Sequence, residues 1–280
     1  MKLSTGTRYE SWKTDHTGKG LFLKRLIPAL EDLGVEVVAP AQEADIDLQL
    51  GKYVWEPKAK KSIIRMGCPH FNDPASNKRK TAAALFADAV IYQSEYAREA
   101  CDKYLTKVKK STVIHNGAPV TIGHPTNYRT IFIASTRVWN KKKRLKDIVR
   151  GFAKAKTGKL WIAGSVEKRI DADNVYYLGL LSPDQLNRYY RASDVMIHLC
   201  EKDCCPNSVV EAMMCGCRVI TNEDAGTKEL LTENDMVVKS VRDLPKAIHK
   251  VKLSREYPEK LDIKNVARKY LAFFEEVLNG

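Results

Sequence analysis

Strand-like and helix-like patterns alternate along this 280-residue chain, and the alternation breaks once and then restarts. Residues 21–34, LFLKRLIPALEDLG, space their apolar side chains as a helix does and end on Gly34, and VEVVAP follows as a strand. DIDLQLG (45–51) and SIIRMG (62–67) read as strands, and NKRKTAAALFA (77–87) as a helix. Strand DAVIYQS (88–94), helix EYAREACDKYL (95–105) and strand STVIHNG (111–117) complete the first run. Residues 118–128, APVTIGHPTNY, hold two prolines and a glycine without periodicity and read as a linker. The second run is strand 130–135, helix 146–156, strand 159–165, strand 174–179, helix 182–193, strand 194–200, helix 207–216 and strand 217–222. Ser182 followed by Pro183 is a strong helix start, because the hydroxyl caps and the imino acid needs no N–H there. Helices over 242–252 and 262–278 close the chain. Two βα runs predict an α/β protein of two Rossmann-like, doubly wound domains facing a cleft, with boundaries at 1–124 and 125–261.

Composition narrows the class. No apolar run approaches the roughly 20 residues of a membrane helix, and the N-terminus MKLSTGTRYESWK lacks the apolar centre of a signal peptide. Seven cysteines in a chain of this length predict reduced thiols and a cytoplasmic location. The net charge of +13 is uneven. Residues 1–125 carry 19 Lys+Arg against 14 Asp+Glu, residues 126–200 carry 15 against 6, and residues 201–280 carry 13 against 14. The basic excess therefore centres on the middle of the chain, where KKKRLK runs over 141–146, and it favours polyanionic partners.

The densest chemistry lies at 201–217, EKDCCPNSVVEAMMCGC. Four of its residues are cysteines, but Cys204 and Cys205 are separated from Cys215 and Cys217 by a predicted helix of about 15 Å. One tetrahedral metal centre does not fit that spacing, so no metal is expected. Cys200, Cys215 and Cys217 read as small buried residues, and His115 and His198 as structural residues within strands. The stretch joins a strand to a helix. In a parallel sheet that junction presents backbone N–H groups to an anion. Asp203 stands before the helix, Pro206 at its start and Glu211 about one turn inside it. A diphosphate at the helix start would leave one acid for a sugar and the other for a ribose.

DCCPNSVVEAMMCGCRVIT resembles the signature of retaining GT-B glycosyltransferases of family four: an acid, seven residues, Glu, then a small-residue Cys-Gly turn and a strand. The resemblance implies that Asp203 meets the transferred sugar, and that Cys205, Pro206, Asn207, Ser208 and Val209 pass along the donor diphosphate. It implies that Glu211 binds both ribose hydroxyls. STRVWNKKKRL resembles the family's phosphate-binding segment, which places Arg137 and Lys143 on the diphosphate. HTGKGLFLKRL resembles its glycine-rich loop, with Gly20 on the donor side, and IIRMGCPHF places His70 near a catalytic cleft histidine. Asn72 and Trp139 join His70 as acceptor-side residues. The final segment, 262–280, is implied to cross back to the first domain. Two positions depart from the family: Asp203 is one methylene shorter than the usual Glu, and Arg218 replaces a Pro, with no role legible for its charge.

The resemblance implies sugar transfer from a nucleoside diphosphate sugar, UDP- or GDP-linked, to a hydroxyl with retention of configuration. Arg137, Lys143 and the helix N-terminus would take the part a metal plays elsewhere, so no cofactor is implied. For the acceptor, the basic charge favours DNA bearing hydroxymethylated bases, with a polysaccharide or lipid-linked acceptor at an anionic membrane surface as the alternative. A non-enzymatic nucleotide or nucleic-acid binding module and a sugar-nucleotide epimerase are the rival classes. No feature calls for an obligate protein partner.

Overall fold

A computed structural model describes residues 1–6, 11–15, 17–39, 42–50, 58–70, 73–108, 110–123 and 130–280. Asn72 and residues 124–128 of the expected linker lie outside the described residues. The first run comprises β1 (Lys2–Ser4), α1 (Ser11–Thr14), α2 (Gly18–Glu31), β2 (Glu36–Val38), β3 (Ala44–Leu50), β4 (Ala59–Met66), α3 (Pro74–Phe86), β5 (Ala89–Tyr92), α4 (Glu95–Tyr104) and β6 (Ser111–Val113). The second comprises β7 (Ile131–Val138), α5 (Leu145–Ala155), β8 (Lys159–Ser165), β9 (Val175–Gly179), α6 (Pro183–Ala192), β10 (Val195–His198), α7 (Asn207–Met214), β11 (Arg218–Asn222), β12 (Met236–Val238) and α8 (Leu244–Lys250). The last helix is α9 (Ile263–Asn279).

The chain divides into two compact units, one of Met1–Gly117 with Lys260–Gly280 and the other of Ala118–Glu259. Each holds a six-stranded parallel sheet. The orders are β2-β1-β3-β4-β5-β6 and β12-β11-β10-β7-β8-β9. Strands buried on both faces read as apolar runs rather than alternations, as all four buried residues of β5 and of β10 do. The helix starts follow local chemistry. Asp73 and Pro74 open α3, Ser94 caps α4, and Ser182 and Gln185 close a reciprocal capping box on α6.

In the first unit α9 lies on α2. Phe22 and Tyr270 meet tilted with ring centres 5.9 Å apart, and Tyr270 and Phe274 meet edge to face at the same distance, inside a core that also holds Leu23, Leu26, Ile46 and Ile63. Arg65 of β4 is 4% exposed, and its guanidinium lies 3.9 Å from the centre of the Phe22 ring. It donates from Nε to the Tyr270 hydroxyl at 2.9 Å and from its terminal nitrogen to Asn116 Oδ1. A buried cation bonded this way locks the last helix to β4. Gly117, the last residue before the chain leaves this unit, has no room for a side chain, since a Cβ there would stand 2.9 Å from Val266. Among the described residues no helix is long and apolar enough to cross a membrane.

Replacing Tyr270 with Phe removes the partner of a buried guanidinium nitrogen at almost constant volume. We expect a loss of about 1–3 kcal/mol in urea unfolding, with Phe274→Leu as a packing control that leaves Arg65 satisfied.

Candidate functional site

In the second sheet the strand order reverses between β7 and β10. β8 and β9 add to one side of β7, while β10, β11 and β12 add to the other. The loops leaving the carboxyl ends of β7 and β10 therefore diverge, and the opening between them is where open α/β sheets bind ligands. The end of β7 carries the sequence-predicted Arg137, the loop after it Lys143, and the loop after β10 Asp203.

β7 changes register against β8 between Ser135 and Val138, which places Arg137, exposed, in the irregular part of the strand. Gly164 of β8 permits this. Its φ is +118°, and a Cβ would lie 1.8 Å from the Thr136 carbonyl oxygen. Trp139 follows, half-buried against the unit's core, with its Nε1 donating to the Ala163 carbonyl at 3.0 Å. Asn140 then caps a 3-10 turn over Lys141–Lys143, accepting from the Lys142 N–H at 3.0 Å. Arg144 takes the left-handed conformation, φ 54°, and α5 begins.

After β10 the chain is pinned at successive residues. The Asn222 side chain accepts from the Cys200 N–H at 2.9 Å and donates to the Cys200 carbonyl at 3.1 Å. Glu201 N–H donates to the Lys142 carbonyl at 3.1 Å, Lys202 N–H to the Asp224 carbonyl at 3.0 Å, and Gly226 N–H to the Asp203 carbonyl at 2.8 Å. Lys202 is left-handed, φ 56°, which turns the next side chain back toward β7. That side chain is Asp203, and its Oδ2 lies 2.9 Å from Lys143 Nζ, with both side chains about three-quarters buried. Burial works against Lys143's charge, but the Asp203 carboxylate and the Cys200 thiol raise its pKa above the ordinary range. Burial likewise works to raise Asp203, and the Lys143 ammonium with His198 holds it below the usual carboxylate value. The two groups form a charged pair.

Beneath this pair lie two residues that sequence reasoning left as structural. His198 ends β10, 4% exposed, with Nε2 3.8 Å from Asp203 Oδ2. Burial first, opposed by Asp203 and aided by Lys143, lowers its pKa to about 4. Cys200 lies two positions on, and burial pushes its thiol up to about 11. Among the described residues one group of metal-ligating side chains converges, His198, Cys200 and Asp203, whose ligand atoms all lie within 4.8 Å of one another. The signal available in the sequence was a spacing of two, which keeps residues on one side of an extended chain.

α7 opens at Asn207 with Pro206 as its cap residue, and no cap side chain bonds the first turn. The Val209 and Val210 N–H groups both donate to the Pro206 carbonyl. Cys205 and Pro206 are buried and Ser208 half-buried. Glu211, the fifth residue of the helix, is half-buried close to the Tyr190 phenol, whose pKa is raised by burial and then by the Glu211 charge. Tyr190 is anchored by Ser135 Oγ at 2.5 Å. None of the seven cysteines is in a disulfide, and Cys215 and Cys217 meet Thr121 Oγ1 and the Tyr190 carbonyl at 3.2 Å each. Arg218 is 1% exposed and bonds Thr232 Oγ1 at 3.1 Å and the Glu256 carbonyl, so the charge of unread purpose ties β11 to the segments that follow it.

The first unit carries the other predicted residues. Gly20 lies in the first turn of α2, its N–H 3.4 Å from the capping Thr17 hydroxyl, and a Cβ there would lie 2.4 Å from Asp15. His70 is exposed ahead of α3. Its N–H donates to Asn77 Oδ1 at 2.8 Å, and its carbonyl accepts from Asn77 Nδ2 at 3.0 Å.

Residues 129–252 match the family described as glycosyl transferases group 1. The glycosyl transferases group 1 segment lies within the second unit and spans both loops of the switch point. No curated protein matches the chain in sequence. Solved structures resemble all of it. The sucrose-phosphate synthase of Thermosynechococcus elongatus superposes with a TM-score of 0.72 at 15% identity, covering 100% of this chain and 96% of its own. AviGT4, a glycosyltransferase involved in avilamycin A biosynthesis, gives 0.73 at 13%, covering 100% and 98%. Anabaena HepE in complex with UDP and glucose gives 0.70 at 13%, covering 98% and 99%. The chain has the GT-B fold.

The neutral, buried His198 predicts an acid sensitivity. Its folded pKa of about 4 lies below the ordinary 6.5, so the unfolded chain binds more protons between these values. Stability is complete above the upper value and falls as pH drops through the window, by roughly 3 kcal/mol. Urea unfolding at several pH values measures the slope, and His198→Gln is expected to remove that part of it.

Proposed function

We propose that this chain transfers a sugar from a nucleoside diphosphate sugar to a hydroxyl acceptor, retaining the anomeric configuration. The observation that carries the reading is the Lys143–Asp203 pair at the switch point, 2.9 Å apart, immediately ahead of the α7 N-terminus. The first-turn amides of a helix and a nearby ammonium suit a diphosphate, and an adjacent carboxylate suits sugar hydroxyls. Donor binding exchanges partners: Lys143 turns to phosphate and Asp203 accepts from sugar hydroxyls, so neither group is left without a polar partner. Arg137 adds a second cation to the leaving diphosphate, Cys205 to Val209 line it through their backbone, and Glu211 takes the two ribose hydroxyls.

Catalysis is then electrostatic. Lys143, Arg137 and the helix start stabilise negative charge as the glycosidic bond loosens, and the acceptor oxygen attacks from the face the diphosphate leaves. The departing phosphate oxygen takes the acceptor's proton. The reading requires neither a protein nucleophile nor a metal. The second unit holds the donor. The first holds the acceptor, with His70 and Asn72 contributing there and Gly20 assigned to the donor. Trp139 contributes only a ring face, since its Nε1 is bonded to Ala163. The UDP and glucose of the HepE complex support a UDP-sugar as the first donor to test.

For the acceptor we favour DNA with hydroxymethylated bases, on the basic excess of residues 126–200, where 15 Lys+Arg face 6 Asp+Glu. A second reading, a lipid-linked or polysaccharide acceptor at an anionic membrane, is supported by α3. Its exposed residues include Lys78 and Arg79 with Leu85 and Phe86, the last two 61% and 55% exposed.

Incubation with a panel of nucleoside diphosphate sugars, with and without acceptor, tests the reaction. Acceptor-dependent diphosphate release is expected, and Lys143→Ala should lower kcat/KM by about 100- to 1,000-fold. Glu211→Ala should act mainly through the donor KM. A binding module would release no diphosphate with any sugar. Salt titration of binding to duplex DNA and to anionic vesicles separates the acceptors: a steep salt dependence on duplex supports the first, and binding to vesicles alone replaces it with the second.

A further inference from the structure

His198, Cys200 and Asp203 combine three features beyond their convergence. The first is an orphaned ligand atom. His198 Nε2 is buried and has no hydrogen-bond partner, although the Asp203 carboxylate stands 3.8 Å away. That separation is too long for a hydrogen bond. It is close to the spacing of two ligands around a tetrahedral ion with bonds of about 2.0–2.2 Å, whose edges run to about 3.4 Å. A buried nitrogen left unpaired carries an unrepaid desolvation cost.

The second feature is the ligand set. One imidazole, one thiol and one carboxylate oxygen suit Zn²⁺ and its spectroscopic stand-ins Co²⁺ and Cd²⁺. Mg²⁺ and Ca²⁺ ask for oxygen throughout. The third is rigidity. β10 fixes His198, the Asn222 amide clamps the Cys200 backbone on both sides, and Gly226 holds the Asp203 carbonyl. A cation already stands here, because the Lys143 ammonium lies 2.9 Å from Asp203 Oδ2.

We propose that His198 Nε2, Cys200 Sγ and Asp203 Oδ2 form a site for one zinc-class divalent ion, with water as the fourth ligand, and that the ion displaces Lys143 from Asp203. The thiol gives up its proton as the sulfur–metal bond forms, and the Lys143 ammonium moves out to solvent still protonated. Metal and Lys143 compete for one carboxylate oxygen, so an occupied site cannot hold the ion pair. The site is independent of the sugar-transfer reading, because its formation requires neither donor nor acceptor.

The test is a Co²⁺ titration of the full chain under reducing, oxygen-free conditions. The expected result is a thiolate-to-cobalt charge-transfer band in the near ultraviolet with tetrahedral bands in the visible, saturating at one ion per chain and erased by Zn²⁺. Cys200→Ser should abolish the charge-transfer band, and Cys204→Ser should leave it intact. Lys143→Met should tighten Co²⁺ binding by about tenfold, since the carboxylate no longer exchanges one cation for another; a purely structural Lys143 would not do this. X-ray absorption of the zinc-loaded wild-type chain needs no variant and should show one sulfur and three nitrogen or oxygen neighbours. Absent bands, bands that survive Cys200→Ser, or a shell of two or more sulfurs overturn the site. Unchanged or weaker binding in Lys143→Met overturns the displacement of Lys143.

Discussion

The reversal of strand order at β7 and β10 is the constraint on which the rest of the second unit depends. Two parallel strands lying side by side send their outgoing loops to opposite sides only at this point. The opening has no side chain of its own to fill it. Chemistry has to be delivered to it by the loops. Here each loop delivers one charge, Lys143 from the β7 side and Asp203 from the β10 side.

Delivering those charges is costly. A pair about three-quarters buried loses much of its hydration, and its mutual attraction roughly repays that loss rather than exceeding it. Arg144 and Lys202, next to the paired residues, both hold left-handed backbones that favour glycine, at about 1–2 kcal/mol each. The offset comes from polar clamps that touch neither charge: the Asn222 amide on Cys200, the Lys142 and Asp224 carbonyls, and the Gly226 N–H. The arrangement is a pre-set one. Strain in the two turns is held by the scaffold, so that the two charged groups stay oriented.

How far this was legible in the sequence depended on how local the cause was. β8 spans Lys159–Ser165, the residues its apolar run indicated, and the Ser182 start of α6 carries the expected cap. Lys143 and Asp203 were named from the resemblance of their segments to a family's motifs, and their side chains lie 2.9 Å apart in the structure. β1 and β12 escaped notice because these three-residue strands, unlike β2 and β6, lie outside any longer run read as a strand. His198 and Cys200 escaped for a different reason. A spacing of two says which side of the chain they share, but not that a left-handed Lys202 returns Asp203 to that side. Arg218 needed Thr232 and Glu256 beside it before its charge made sense, and no local pattern announces partners 14 and 38 residues away.

The placement of α9 bears on how the chain is built. The second unit is complete at Glu259, whereas the first unit's core lacks Tyr270, Phe273 and Phe274 until the last helix is made. During synthesis from the N-terminus, the unit begun first is therefore the one finished last. Until then Arg65 stands without its tyrosine and the apolar face of α2 without its cover. The core of the first unit therefore closes only after every strand of both sheets has been made.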